Sequence, residues 1–284
     1  METRASSPGK EVIIGDSQPT VLIGERINPA GKKKLAEALR AGDLAIVRSE
    51  ALVQVQAGAD MLDINVGTFG VDEVRLLPQA VKAVMDVVDV PLCIDSNNPA
   101  ALEAAIKVCQ GKPIINSVTG EERSLTTVLP MVKKYKAAVV GLVQDDEGIP
   151  KDAERRVSIA HKIVQRAEAL GIPREDIIID CVAFAVGADT SSGLTVMEAI
   201  RTIKTELGVN MTLGASNISF GLPDRELLNN VFVTMAIATG VTCLITDVAK
   251  VRPTVMASDL ILGRDKHARR YIGAYQQRQG QQRY

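Results

Sequence analysis

Polar side chains close eight short apolar runs along this 284-residue chain, and their types suggest recognition of a small polar ring. Glu25, Arg26 and Asn28 follow the first run, and Asp63 with Asn65 lie in the second. Asp95, Ser96 and Asn97 follow the third, Asn116 and Ser117 the fourth, and Gln144 and Asp145 the fifth. Asp180 sits in the sixth, Gly214, Ser216 and Asn217 follow the seventh, and Asp247 lies in the eighth. Asp95, Asn116 and Asp180 suit a flat nitrogen heterocycle with an amino-amidine edge. A carboxylate accepts two parallel N–H bonds from such an edge, and an asparagine both donates and accepts. Asn217 is a neutral amide at pH 7, so any part it plays in chemistry is through hydrogen bonding.

Other readings of the same groups are weaker. Capping of the following helices or mutual hydrogen bonding accounts for one such residue more readily than for three in matching contexts. Paired carboxylates also serve sugar cleavage, but aromatic residues make up only 3% of the chain and tryptophan is absent. A magnesium site built on Asp63, Asp95 and Asp180 lacks a spacing that shows convergence, and no metal is expected. His161 falls within a helical period and His267 near the tail, which leaves no histidine base or ligand in the set.

The runs that position these groups are Val21 to Ile27, Met61 to Val66, Leu92 to Ile94, Ile114 to Ile115, Ala137 to Val143, Ile177 to Val182, Met211 to Leu213 and Cys243 to Val248. Each is short and mostly apolar, as parallel strands covered on both faces are. Helical periods separate them. Val157, Ala160, Ile163, Val164, Ala167 and Leu170 share one face of a helix whose other face is expected to carry Arg155, Arg156, Lys162 and Arg166, with Gly171 and Pro173 as stop signals. Asn98 followed by Pro99 reads as an N-cap, and Ser192 or Thr195 as a cap farther on. Eight alternations predict an α/β fold, a closed (β/α)8 TIM barrel, whose active site lies at the C-terminal ends of the strands. No glycine-rich phosphate motif follows the first strand, which disfavours a dinucleotide fold.

The expected organisation is an N-terminal extension over 1–19, one barrel domain over 20–265 and a polar tail over 266–284. The formal charge of -1 gives no basic surface for nucleic acid or an anionic membrane. Four dispersed cysteines, Cys93, Cys109, Cys181 and Cys243, read as reduced thiols of a cytoplasmic protein. The uncharged stretch Leu227 to Thr246 is broken by Gly240 and reads as a buried helix followed by a strand, not as a membrane span.

The segments Gly24-Glu25-Arg26-Ile27-Asn28, Leu62-Asp63-Ile64-Asn65-Val66-Gly67, Leu92-Cys93-Ile94-Asp95-Ser96, Ile115-Asn116-Ser117, Ile179-Asp180 and Gly214-Ala215-Ser216-Asn217-Ile218-Ser219 resemble the pterin-binding methyltransferases. The likeness runs in order from about Val21 to about Leu262. It implies a barrel of the pterin-binding type, usually a homodimer, that moves a methyl group between N5 of tetrahydrofolate and the cobalt of a corrinoid. Tetrahydrofolate or methyltetrahydrofolate is then the substrate, and the corrinoid (a cobalamin) is presented by a partner protein or bound free. The resemblance implies that Asp95, Asn116 and Asp180 grip the pterin, that Gly214 and Ser216 line the pocket, that Asn217 bonds N5, and that Arg225 lies near the folate tail. Glu25, Asn28, Asp63, Asn65, Asn97, Gln144 and Asp247 are candidates for the lining. Dihydropteroate synthase shares the pterin grip but typically has an arginine and a lysine where this chain has Asn217-Ile218. A folate-binding subunit without catalysis is the non-enzymatic alternative. The direction of transfer is open.

Overall fold

The computed structural model describes residues 1–281, with side chains through residue 276. It opens with an antiparallel hairpin, β1 (Glu2–Ser6) and β2 (Glu11–Gly15). Eight parallel strands follow: β3 (Val21–Ile27), β4 (Met61–Ile64), β5 (Leu92–Asp95), β6 (Ile114–Thr119), β7 (Ala138–Leu142), β8 (Ile177–Asp180), β9 (Asn210–Thr212) and β10 (Cys243–Thr246). They are ordered β10-β3-β4-β5-β6-β7-β8-β9. The two ends meet: Thr242 N–H donates to Met211 O at 3.0 Å and Ile245 N–H to Leu213 O at 3.0 Å. The fold is the (β/α)8 barrel expected from the alternation.

Helices cover its outside: α1 (Lys33–Ala41), α2 (Ala45–Gln56), α3 (Glu73–Met85), α4 (Pro99–Ile106), α5 (Glu122–Tyr135), α6 (Ala153–Ala169), α7 (Ser192–Leu207), α8 (Arg225–Thr239) and α9 (Val248–Ile261), with α10 (Arg269–Gln281) after them. Alternation along each strand builds two cores. Leu22, Leu62, Ile64, Ile94, Ile115, Val139 and Ile179 face the helices, while Ile23, Met61, Cys93, Ile114, Val140, Ile178 and Cys243 fill the barrel. The hairpin closes the lower end, placing Ala5, Val12 and Ile14 in that inner core. Asn210 ties it down by donating to Ile14 O at 3.0 Å and Thr3 Oγ1 at 2.9 Å.

Several local readings change. Asn98 caps α4 through Ala100 N–H at 3.0 Å with Pro99 in the first turn, as expected. Neither Ser192 nor Thr195 caps α7: the helix starts at Ser192, whose hydroxyl donates to Phe184 O at 3.0 Å. Arg156 does not lie on the solvent face of α6 but is 1% exposed, drawn inward by three backbone carbonyls. The segment from Leu227 does form a helix and a strand, yet α8 is only half buried. Leu227, Val231 and Met235, spaced by four, form an outward apolar stripe opposite Phe232, Val233, Ala236 and Ile237. Residues 269–281 of the expected tail are helical, because Asp265 accepts the leading N–H groups of Arg270 and Tyr271. Its last three residues lie outside the described part. All four cysteines are free, and three are buried. Among the described residues no helix is long and apolar enough to cross a membrane.

Candidate active site at the barrel mouth

The inward alternation of the strands sets the site. Two residues beyond Met61, Cys93, Ile114 and Ile178, the same inward row carries Asp63, Asp95, Asn116 and Asp180. The apolar filling of the barrel thus gives way to polar groups at the C-terminal mouth, where this fold places its chemistry. The register puts Asp95 beside Asn116 and Asp63 beside Cys93. Asn116 Nδ2 donates to Asp63 Oδ1 at 3.1 Å, and Asn65 Nδ2 to Asp95 Oδ2 at 2.8 Å.

Burial dominates the electrostatics. It pushes Asp95 up to about 6, opposed by the bond from Asn65 and reinforced by Glu73. Burial, and then the neighbouring Asp95, hold Asp63 well above the usual carboxylate range. Asp180, at the end of β8, is also pushed up to about 6 by burial, although the N–H groups of Val182 and Gly214 favour its charged form. These carboxylates are desolvated and none of them forms an ion pair among the described residues, an arrangement suited to receiving N–H donors from a ligand.

A second group lies between β3, β9 and β10. The loop after β9 turns once as a 3₁₀ helix, Ala215–Ser219. There Ser216 Oγ donates to Glu25 Oε1 at 2.6 Å, against a burial that raises the Glu25 carboxyl. Arg225 braces the turn, donating to Ser216 O at 2.8 Å and Ser219 Oγ at 3.1 Å. The Asn217 side chain is exposed and makes no hydrogen bond with the described residues. Gly214 leaves it room, since a Cβ there would sit 3.3 Å from Asn217 Nδ2. A cleft of about 340 Å³ opens here, with Glu25, Asn28, Ser216, Asn217, Arg225 and Asp247 in its wall.

The other expected residues divide. Asn97 and Gln144 line a separate cleft of about 470 Å³ beside α4 and α5, and Gln144 donates to Glu121 at 3.2 Å. Asp145 pairs with Arg155 at 2.9 Å. Sequence reasoning missed Lys32, Glu226, Asn229 and Lys250 in the first cleft, and the Glu50 carboxylate that holds Arg26 at 2.7 Å. All sit on helices or in a loop, away from the strand ends that served as the signal. Asn229 is one turn beyond Arg225, a spacing that could have found it. Its Oδ1 is buried with no hydrogen-bond donor among the described residues.

A parallel barrel with a desolvated acid and amide cluster at its mouth defines a class of small-molecule enzymes. Residues 24–247 match the family model for pterin binding enzymes. The chain is 32% identical over 267 residues to the methylcorrinoid:tetrahydrofolate methyltransferase of Eubacterium limosum, covering 90% of this chain and 96% of the relative. It is also 32% identical over 250 residues to the methionine synthase of Mycobacterium leprae (strain TN), spanning 83% of this chain but 21% of that longer protein. The chain therefore belongs to the pterin-binding enzyme family and, within it, to the methyltransferases. Among solved structures, the Yersinia pestis DHPS with a pterin-sulfa conjugate aligns at a TM-score of 0.71 with 15% identity, over 92% of this chain and 100% of that one. The Xanthomonas albilineans dihydropteroate synthase bound to 7,8-dihydropteroate aligns at 0.68 with 20% identity, over 91% and 98%. At these identities the likeness concerns the fold.

Proposed function

We propose that this enzyme transfers a methyl group between N5 of a tetrahydrofolate and the cobalt of a corrinoid. The observation that carries the reading is the Asn217 amide, open and without a hydrogen-bond partner among the described residues, at the same C-terminal end of the barrel as the desolvated Asp95 and Asp180, although neither of these carboxylates lines the cleft that Asn217 does. The extent of the match to the Eubacterium limosum methyltransferase supports it. Asp95 and Asp180 accept N–H bonds from the pterin, and Asn116, oriented by Asp63, adds an amide. Asn65 keeps the Asp95 carboxylate aligned. Gly214 and Ser216 shape the wall under the ring. Arg225 is committed to the turn that carries Asn217, and its outer edge meets the substrate's tail.

N5 leaves poorly from carbon unless it gains positive character, so the donor or acceptor placed against it controls the rate. Asn217 bonds the protonated N5 or the transition state without exchanging a proton itself, and solvent at the open mouth supplies the proton. The corrinoid provides the cobalt that gives or accepts the methyl group. It comes from a partner protein or free solution and approaches the open mouth of the barrel. We also propose a cytoplasmic homodimer, its contact supported by the outward stripe of Leu227, Val231 and Met235.

Two mixtures test the reading: methylcobalamin with tetrahydrofolate, and cobalt(I) cobalamin with methyltetrahydrofolate. A change in the corrinoid spectrum in either mixture is expected, and the favoured one gives the direction. No change in both refutes the proposal, and incorporation of aminobenzoate into a pterin would replace it with the dihydropteroate reading.

A further inference from the structure

Arg156 is a guanidinium buried to 1% exposure with no carboxylate in hydrogen-bond contact among the described residues. Its Nε donates to Pro150 O at 2.9 Å, and its Nη1 to Cys181 O at 2.8 Å and Val182 O at 2.9 Å. Burying a charge this way is costly, and packing alone would be served better by an apolar side chain of similar volume. Burial lowers its affinity for the proton, as expected for a desolvated cation. The carbonyls it holds identify its purpose. Pro150 belongs to the loop between β7 and α6, while Cys181 and Val182 form the turn leaving β8.

That turn is unusual. Val182 adopts φ 54°, a left-handed conformation rare for a β-branched residue. The conformation aims its N–H back at Asp180 Oδ1, 2.7 Å away. It also directs the Cys181 and Val182 carbonyls inward, toward α6, where they need a donor. One planar fork satisfies both and reaches the β7 loop as well, which the point charge of a lysine matches poorly. The Phe184 ring, 5.7 Å from the guanidinium carbon, covers it.

We propose that Arg156 is a positioning residue for the folate site, clamping the turn after β8 so that the Val182 N–H fixes the Asp180 carboxylate toward the pterin. The role rests on the folate reading given above. Asp180 is faced by Arg156 from α6, by the Cys243 thiol from β10, by Cys181 on its own strand end, and by the N–H groups of Val182 and Gly214. Arg156 is thus the one cation in this surrounding among the described residues. It both shapes the turn and favours the ionised acid.

The test compares wild type, Arg156→Lys and Arg156→Met from about pH 5.5 to 8.5, measuring the methyltetrahydrofolate Kd by calorimetry and kcat with cobalt(I) cobalamin. Wild-type affinity falls on acidification through about 6, where Asp180 takes up its proton. Asp95 titrates in the same range, but it is common to all three proteins. Arg156→Lys, which keeps the charge but not the fork, should weaken binding about tenfold with kcat within about threefold and the midpoint unmoved. Arg156→Met should weaken it further and move the midpoint upward, because the Arg156 charge favours the ionised Asp180. If Arg156→Met fails to fold by near-ultraviolet circular dichroism, the Kd of Arg156→Lys decides. Folded variants with wild-type Kd and pH profile overturn the role of Arg156 alone. A wild type that does not bind methyltetrahydrofolate overturns the folate reading and this role together.

Discussion

Replacing Asp95 by asparagine should make the ligand-free protein more stable at neutral pH while weakening its hold on folate. Folded, Asp95 keeps its proton up to about 6; unfolded, it loses it near 3.8. Between those values the folded state binds more protons, so this carboxyl's contribution to stability falls as pH rises and levels off above about pH 7. The full difference is worth about 3 kcal/mol, of which about 2 kcal/mol develops between pH 4.5 and 7.5. The substituted amide keeps an oxygen that can accept from Asn65 Nδ2, which lies 2.8 Å from the native Asp95 carboxylate, so the loss of hydrogen bonding is small and independent of pH. Urea unfolding of wild type and Asp95→Asn at both pH values is the assay. The variant should gain about 2 kcal/mol relative to wild type on going from the acidic to the neutral condition. Methyltetrahydrofolate at about a hundred times its Kd should stabilise the wild type by about 2.7 kcal/mol, and the variant much less. A stability difference that stays flat with pH, or unchanged folate affinity, would refute the claim that this acid is kept desolvated to receive a ligand.

Asn217→Ala should lower kcat about a hundredfold, the loss of one preorganised bond at the reacting atom, with folate Kd within about tenfold by calorimetry; equal losses in rate and binding would sink its catalytic role. Arg225→Ala removes both braces of the Ala215–Ser219 turn and should weaken folate binding by about 1–3 kcal/mol, read from the same titration. Ile14→Ala, in the fully buried plug below the barrel, should cost about 3 kcal/mol in urea unfolding while folate Kd, measured where the variant is folded, is unchanged. Cys109 is half buried, and burial pushes its thiol up to about 12. Its thiolate is scarce at pH 8, so mass spectrometry should find it largely unalkylated by iodoacetamide in the native protein.

The barrel was legible because apolar runs ended in polar groups at a regular alternation, and the same pattern marked Asp63, Asp95, Asn116 and Asp180. Their inward direction was less visible. Parallel barrel strands are apolar on both faces, so period-2 alternation is not written in residue type until the final polar position. Clefts were harder still. Glu25 and Ser216 bond across 191 residues of sequence, which explains why Ser216 is occupied and its neighbour Asn217 is free, a distinction no local pattern carries.

Arg156 shows how a correct period can be overruled by a wrong assumption about charge. Positions 156, 160, 163 and 167 follow the i, i+4, i+7, i+11 spacing of one helix face, and the last three are buried. Geometry alone therefore assigned residue 156 to the interior, and only its cationic side chain placed it outside. A charged residue occupying an apolar helical position needs either an exit to solvent or acceptors within reach. Helix α6 begins beneath the mouth of the barrel, where the β7 and β8 loops present carbonyls freed from the strand ladders. In a barrel those free carbonyls occur at the end that does chemistry. A charge that breaks the apolar stripe in the first turn of a barrel helix is thus a pointer to the loops around the active site, available from the sequence once the period is weighed above the charge.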